Sequence, residues 1–328
     1  MTTLADIGEF PLIERLRGRL PRASARVAIG IGDDAAASEI AKPGELVVSC
    51  VDLLTQDVDF TAATPARAVG RKSIAVNLSD VAAMGARPVG VLVAIAAPKT
   101  TQVEWVESLY DGIASICSEH DVDVLGGDCS GVAAGGVTIA VTALGAARRE
   151  ALVSRAGARV GDRLCVTGTL GDAAAGLEKI ARGADPASDD PLVRRQVDPI
   201  PRVAAGRALG EGGIATAMID VSDGLLADLG HLLDASRVGA RVEVGKLPLS
   251  PAIQSNRFEI RRLALTGGED FELLFTIRPD DEAKARAACG DVGMTVIGEI
   301  TSTPGTALVR PDGTLLPPPP RPGWSHFG

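Results

Sequence analysis

The chain has 328 residues, 46% of them hydrophobic and only 3% aromatic, so its length accommodates two cores built mainly from Ala, Val, Leu and Ile. A formal net charge of −9, from 42 acidic against 33 basic residues, and the lack of any basic stripe argue against a nucleic-acid binder. Five cysteines without a C-x-x-C pair read as free thiols of a reducing compartment, and the start of the chain, with Asp6 and Glu9 and no long apolar run, reads as neither a signal peptide nor a membrane span; a cytoplasmic protein is expected.

In chain order, residues 45–51 (ELVVSCV), 89–97 (VGVLVAIAA) and 137–145 (VTIAVTALG) are predicted strands, being rich in β-branched residues and bounded by turn formers. Between the first two, 65–85 is a predicted helix with Pro65 at its first turn, Gly85 at its stop and Pro88 just beyond. Residues 101–120 place Val103, Val106, Leu109, Ile113 and Ile116 at helical spacing. A second half begins near residue 148, with predicted strands at 163–167, 216–221 and 271–277. Its predicted helices start near Asp172 and cover 224–235 and 281–289, and the tail (LPPPPRPGW) is extended. The fold class is therefore α/β or α+β, with domains at 1–147 and 148–328.

The most unusual feature is where aspartate falls. Asp33 and Asp34 follow Gly30-Ile31-Gly32, Asp52 follows an expected strand end at Val51, and Asp128 follows Gly126-Gly127. Asp80 shares a helix face with Asn77, and Asp220 and Asp223 flank Val221-Ser222. Carboxylates at strand ends face the crevice where α/β folds place ligands, and a dispersed set of them suits several Mg²⁺ ions, each held by one or two carboxylates with water and phosphate. The alternative for each is ordinary turn and N-cap chemistry.

Gly30-Ile31-Gly32, Gly126-Gly127 and Gly168-Thr169-Leu170-Gly171 each allow backbone N–H groups to approach a phosphate, the last at a predicted helix N-terminus. The G-x-x-x-x-G-K-[ST] loop and the protein-kinase signatures are absent. Three histidines (His120, His231, His326), none in a catalytic arrangement, disfavour a hydrolase of the Ser-His-Asp or Cys-His type.

Read in order, GEFPLI (8–13), GIGDDAA (30–36), AVNLSDVAAMGARP (75–88), LGGD (125–128), SRAGARVGD (154–162), VTGTLGDAAAGL (166–177), MIDVSDGLLADLGHL (218–232), TGGEDFELLFT (266–276) and GWSHF (323–327) resemble the thiamine-monophosphate kinase family over nearly the whole length. The resemblance implies a two-domain fold like aminoimidazole-ribonucleotide synthetase, with the N-terminal domain forming a barrel across a homodimer. It implies direct in-line phosphoryl transfer from ATP to thiamine monophosphate, with several Mg²⁺ ions.

Carried over by residue, Asp34, Asp52, Asp80, Asp128, Asp220 and Asp223 resemble the metal ligands, and Asp80, Asp128 and Asp220 would be the catalytic set. Cys50 and Val51 match a stretch that contributes oxygens, here only from the backbone. Tyr110, Gly127, Asp128, Arg155 and Ser222 match nucleotide contacts, and Glu269 and Trp324 match contacts to the cationic thiazolium end. One departure stands out: Asp59, in Asp57-Val58-Asp59-Phe60, takes the place of a histidine usual in the family at a substrate contact. Two other readings remain open: a relative in the same superfamily acting on a different small phosphate-bearing substrate, and a non-catalytic nucleotide-binding regulator.

Overall fold

The computed structural model describes residues 2–31, 35–253 and 257–324. They divide into two compact units: one of 1–81, 87–147 and 185–187, the other of 82–86, 148–184 and 188–328. Among the described residues no helix is long and apolar enough to cross a membrane.

The first unit opens with two short helices, α1 (Leu4–Ile7) and α2 (Glu9–Arg17), and a two-stranded ribbon of β1 (Val27–Ile29) and β2 (Ala37–Ser38). Its main sheet contains β3 (Glu45–Thr55), β4 (Arg87–Pro98), β5 (Asp123–Val132) and β6 (Thr138–Arg148), in the order β3-β6-β4-β5. Helix α3 (Ala66–Ala83) follows β3, and α4 (Val103–Glu119) links β4 to its parallel neighbour β5. Glycine at 85, with φ of +69°, supplies the left-handed residue that ends α3.

One face of this sheet is sealed. Val91, Val93 and Ile95 of β4 and Ile139, Val141 and Ala143 of β6 are buried there, with the apolar stripe of α4 (Val106, Leu109, Ile113, Ile116) also buried. The opposite face carries Val47, Val51, Leu53 and Leu92, which are exposed in this chain. Strand alternation sends every second residue to each side, so a run as apolar as β3 leaves hydrophobic groups on both.

The second unit is built on a seven-stranded sheet: β7 (Arg163–Thr167), β8 (Ala215–Asp220), β9 (Gly239–Glu243), β10 (Leu273–Ile277), β11 (Met294–Thr301), β12 (Gly305–Val309) and β13 (Leu315–Leu316). The order is β13-β12-β9-β11-β7-β10-β8, with all neighbours antiparallel except β12 and β9, which run parallel. Its helices are α5 (Asp172–Ala181), α6 (Pro191–Val197), α7 (Val203–Glu211), α8 (Leu225–Ser236), α9 (Arg257–Thr266) and α10 (Glu282–Cys289). Leu225, Leu229 and Leu232 of α8 pack into a core with Val166, Ile219, Val242, Leu274 and Ile300, which anchors α8 to the sheet just after β8.

Three expectations need correction. Strand β3 runs past Val51 to Thr55, so Asp52 lies within it and not after it. Gly126-Gly127, read as a place where backbone N–H groups could approach a phosphate, lies with Asp128 inside β5, paired with Leu92, Val93 and Ala94. Glycine is required at 127 because a Cβ there would stand 1.8 Å from the Val93 carbonyl oxygen, so the residue serves close strand packing. The predicted strand from 271 begins at Leu273, because Glu269 and Phe271 both adopt positive φ.

Candidate active site

In the first unit, alternation along β3 sends Cys50 and Asp52 toward α3 while Val51 and Leu53 face the open side. Asn77, buried in α3, clamps the strand: its Oδ1 accepts from the Asp52 N–H at 3.2 Å, and its carbonyl accepts from the Cys50 thiol at 3.4 Å. The carboxyl groups of Asp52 and Asp80 lie within hydrogen-bond reach of each other. Burial pushes the Asp52 carboxyl above its ordinary range; the Asp80 hydrogen bond opposes this and nearby Asp59 adds to it. Burial, together with Asp80 and Asp52, also raises the Cys50 thiol.

Two converging carboxyl groups are relieved either by a shared proton or by a cation, so the donor set fits Mg²⁺. Among the described residues no group of three or more His, Cys, Asp or Glu side chains is placed to hold a metal ion. Asp34 lies outside the described residues.

Asp59 sits in the turn after β3. Its Oδ2 accepts from the Thr55 N–H at 2.7 Å, and the buried Lys72 donates to its carbonyl at 2.9 Å. Asp128 does not join the Asp52–Asp80 pair. Its register with Ala94 puts it on the open face of the sheet, where Ser130 donates to it at 2.8 Å. Strands β3 and β5 are opposite edges of that sheet, roughly 14 Å apart at three strand spacings. Tyr110 is buried in α4, where burial and the neighbouring Cys129 raise its phenol.

The second unit gathers most of its expected residues around one turn. Asp220 is the last residue of β8 and is buried; Val221, Ser222, Asp223 and Gly224 form the turn into α8. Gly224 has φ of +123° and no room for a side chain, since a Cβ would lie 2.8 Å from the Thr266 carbonyl carbon. The Ser222 carbonyl accepts from the Glu269 N–H at 2.8 Å, and the Asp223 carbonyl accepts from the Trp324 N–H at 2.9 Å. Asp220, Ser222, Asp223, Glu269 and Trp324 are thus brought together. Arg155 is exposed in the loop before β7, one residue from Ser154, whose carbonyl accepts from Met218 N of β8 at 3.0 Å.

Three acidic residues escaped the reading of the sequence. Asp228, in the first turn of α8, accepts from the N–H groups of Ser222, Asp223 and Gly224 at 3.1, 3.1 and 3.0 Å. Burial, with Asp220 and Asp223 close by, pushes its carboxyl up to about 7. Asp270 accepts from Gly171 N at 2.6 Å and Ala173 N at 3.2 Å, capping α5 from a distant part of the chain. That corrects the phosphate reading of Gly168–Gly171, because a carboxylate of the protein already takes the N–H groups at this helix start. Glu272, fully buried, is clamped by Arg195, Arg202 and the Thr167 hydroxyl at 2.8, 2.5 and 2.7 Å. A signal was available: three acids within the apolar stretch TGGEDFELLFT must each find a donor if the stretch is buried.

The domain models for AIR synthase related proteins match this chain in both halves, the N-terminal domain over residues 32–147 and the C-terminal domain over 159–310. The chain is 36% identical to the thiamine-monophosphate kinase of Haemophilus influenzae, covering 90% of this chain and 89% of that one. A solved thiamine-monophosphate kinase from Stenotrophomonas maltophilia superposes with a TM-score of 0.84 at 38% identity, covering 94% of this chain and 98% of that one. The solved structure of AaThiL complexed with AMPPCP and TMP superposes with a TM-score of 0.76 at 32% identity, covering 100% and 99%. The chain belongs to the thiamine-monophosphate kinase family.

Proposed function

We propose that this protein transfers the terminal phosphoryl group of ATP directly to the phosphate of thiamine monophosphate. The observation that carries the reading is the turn at 220–224, which holds two metal-type aspartates and, through its carbonyls, the backbones of Glu269 and Trp324. A carboxylate and an indole face are the groups that attract a planar cation such as thiazolium. Similarity to AaThiL, whose solved complex contains AMPPCP and TMP, supports the same substrate pair.

An acceptor phosphate has its second pKa near ~6 and is largely ionised at neutral pH, so no residue need remove a proton from it. The task left to the chain is positioning and charge neutralisation. Asp52, Asp80, Asp128, Asp220 and Asp223 would hold Mg²⁺, which supplies positive charge to the phosphate oxygens when bound. Arg155 is shaped to grip phosphate in two places at once. Gly127, Tyr110 and Ser222 are assigned to the nucleotide on the family resemblance.

A homodimer is part of this reading, supported by the exposed Val47, Val51, Leu53 and Leu92 on one sheet face. Five free cysteines suit a cytoplasmic enzyme. The test is a coupled assay of the purified protein with ATP, Mg²⁺ and a panel of phosphate monoesters. Turnover of thiamine monophosphate is expected; turnover confined to another acceptor would overturn the substrate assignment.

A further inference from the structure

Every backbone polar group of residues 221–224 has a partner, and the partners come from the first turn of α8 and from two distant segments. The Val221 N–H donates to the Glu272 carbonyl, and the next three N–H groups converge on one oxygen, Oδ2 of Asp228. The carbonyls of Val221, Ser222, Asp223 and Gly224 accept in turn from the N–H groups of Phe271, Glu269, Trp324 and Asp228. Three successive N–H groups aimed at one point form the concavity that elsewhere binds a free anion. Here the protein's own carboxylate fills it.

The turn cannot shift without breaking bonds to the segment 269–272 that precedes β10 or to the segment that carries Trp324. Asp220 and Asp223 sit at either end of the same turn. Their carboxylates are therefore placed by the network that also places the two acceptor-side residues, and Asp228 holds its centre.

We propose that Asp228 is a positioning residue for the metal-binding aspartates, and that the 220–224 turn couples cation binding energetically to binding of the acceptor. The inference rests on the proposed function for the identity of the two ligands. It differs in assigning a role to a residue that touches neither of them. Coupling of this kind is reciprocal: whatever factor Mg²⁺ contributes to acceptor affinity, the acceptor returns to Mg²⁺.

The experiment compares the intact protein with Asp228→Ala and Asp228→Asn. Asparagine keeps an oxygen acceptor for the turn, whereas alanine leaves three N–H groups without one. Binding of thiamine monophosphate is measured by calorimetry with AMPPCP present, with and without Mg²⁺, and the Mg²⁺ affinity is measured with AMPPCP. Amide exchange of the peptide spanning 219–226 and a thermal melt are recorded on the same samples.

In the intact protein Mg²⁺ should tighten acceptor binding. In Asp228→Ala the Mg²⁺ affinity should fall about 10- to 100-fold, as is usual when a group orienting metal ligands is removed. Exchange at 222–224 should quicken, the enhancement of acceptor binding by Mg²⁺ should largely vanish, and Asp228→Asn should recover much of each property. A variant that is merely less stable would melt earlier with the enhancement intact. That result overturns the inference, as does an Asp228→Ala protein with unchanged Mg²⁺ affinity. Should Asp228→Ala fail to fold, Asp228→Asn decides: Mg²⁺ affinity and enhancement closer to the intact protein's than a tenfold loss support the role, and a larger loss overturns it. If the intact protein neither binds nor phosphorylates thiamine monophosphate, the functional reading fails with the inference; intact activity beside an indifferent Asp228→Ala removes the inference alone.

Discussion

The buried cap at Asp270 makes a stability prediction with a definite sign. Asp270 is 1% exposed and accepts two N–H groups at the start of α5. Burial pushes its carboxyl up to about 7 from an ordinary 3.8; the two N–H groups and Arg195 pull it down, and Glu272 adds to the rise. A helix N-terminus favours an anion by about 0.3–1 kcal/mol, up to ~2 in partly buried settings, so burial outweighs the dipole here. The folded chain then holds this proton more tightly than the unfolded chain does. Its contribution to stability is complete below 3.8 and is lost as pH rises through about 7. At roughly 1.4 kcal/mol per pH unit the full loss is ~4 kcal/mol, of which ~3 kcal/mol falls between about pH 5 and pH 8. Asp270→Asn imitates the protonated form, with one oxygen acceptor and one site carrying hydrogen. Urea unfolding of both proteins across that range isolates the effect, because the other titrating groups cancel in the difference. The variant should gain ~3 kcal/mol relative to the parent by about pH 8. A difference that stays flat would mean Asp270 is ionised throughout, and the argument from burial would be wrong.

Three further outcomes follow from the same structure. Asp80→Asn should lower turnover at least ~100-fold at saturating Mg²⁺ while leaving the melting temperature nearly unchanged; a near-normal rate would remove Asp80 from the metal site. Asp59→His should improve the use of thiamine monophosphate if the site is otherwise typical, at some cost in stability from the lost bond to Thr55 N, about 0.5–1.5 kcal/mol. A clear loss of activity would instead assign Asp59 to a specialised substrate. If the proposed dimer closes on the exposed sheet face, Val51→Asp should shift it toward monomer in sedimentation velocity; a dimer of unchanged strength would move the interface elsewhere, and a monomeric parent would remove the dimer from the proposal.

Much of the fold was legible because some elements carry redundant signals. Helix α3 has a proline near its start, a glycine at its stop and a proline beyond, and α4 has five apolar residues at helical spacing. Strand β5 was not legible: DVLGGDCSGV has the composition of a turn, and it is a strand because β4 lies parallel beside it and needs the bare backbone of Gly127. Pairing between distant segments overrides local preference in such cases. Helices α1 and α2 are short and tied down by remote contacts, such as Leu4 N to the Thr101 carbonyl and Arg19 to Glu107 and Asp111, which no local window contains. At the candidate site, D-V-S-D stands out by its two aspartates at the end of an expected strand, whereas G-G-E-D-F-E enters only through the family resemblance. What the order of residues could not reveal was how the acids of one short stretch divide among their partners.

That division follows from the backbone at 269–272. In a regular strand Glu269 and Phe271 would point one way, and Asp270 and Glu272 the other. Both Glu269 (φ +66°) and Phe271 (φ +50°) are instead left-handed, a conformation costly for residues with a side chain. The distortion aims their N–H groups at the Ser222 and Val221 carbonyls. It also parts the acids, sending Glu269 to Gln196, Asp270 to the start of α5 and Glu272 to Arg195 and Arg202. An isolated strand would relax this geometry, so the clamps on Asp270 and Glu272 must maintain it. The Asp270 cap on α5 and the Glu272 ion pairs with Arg195 and Arg202 thereby hold the backbone that carries Glu269, the residue proposed to meet the thiazolium.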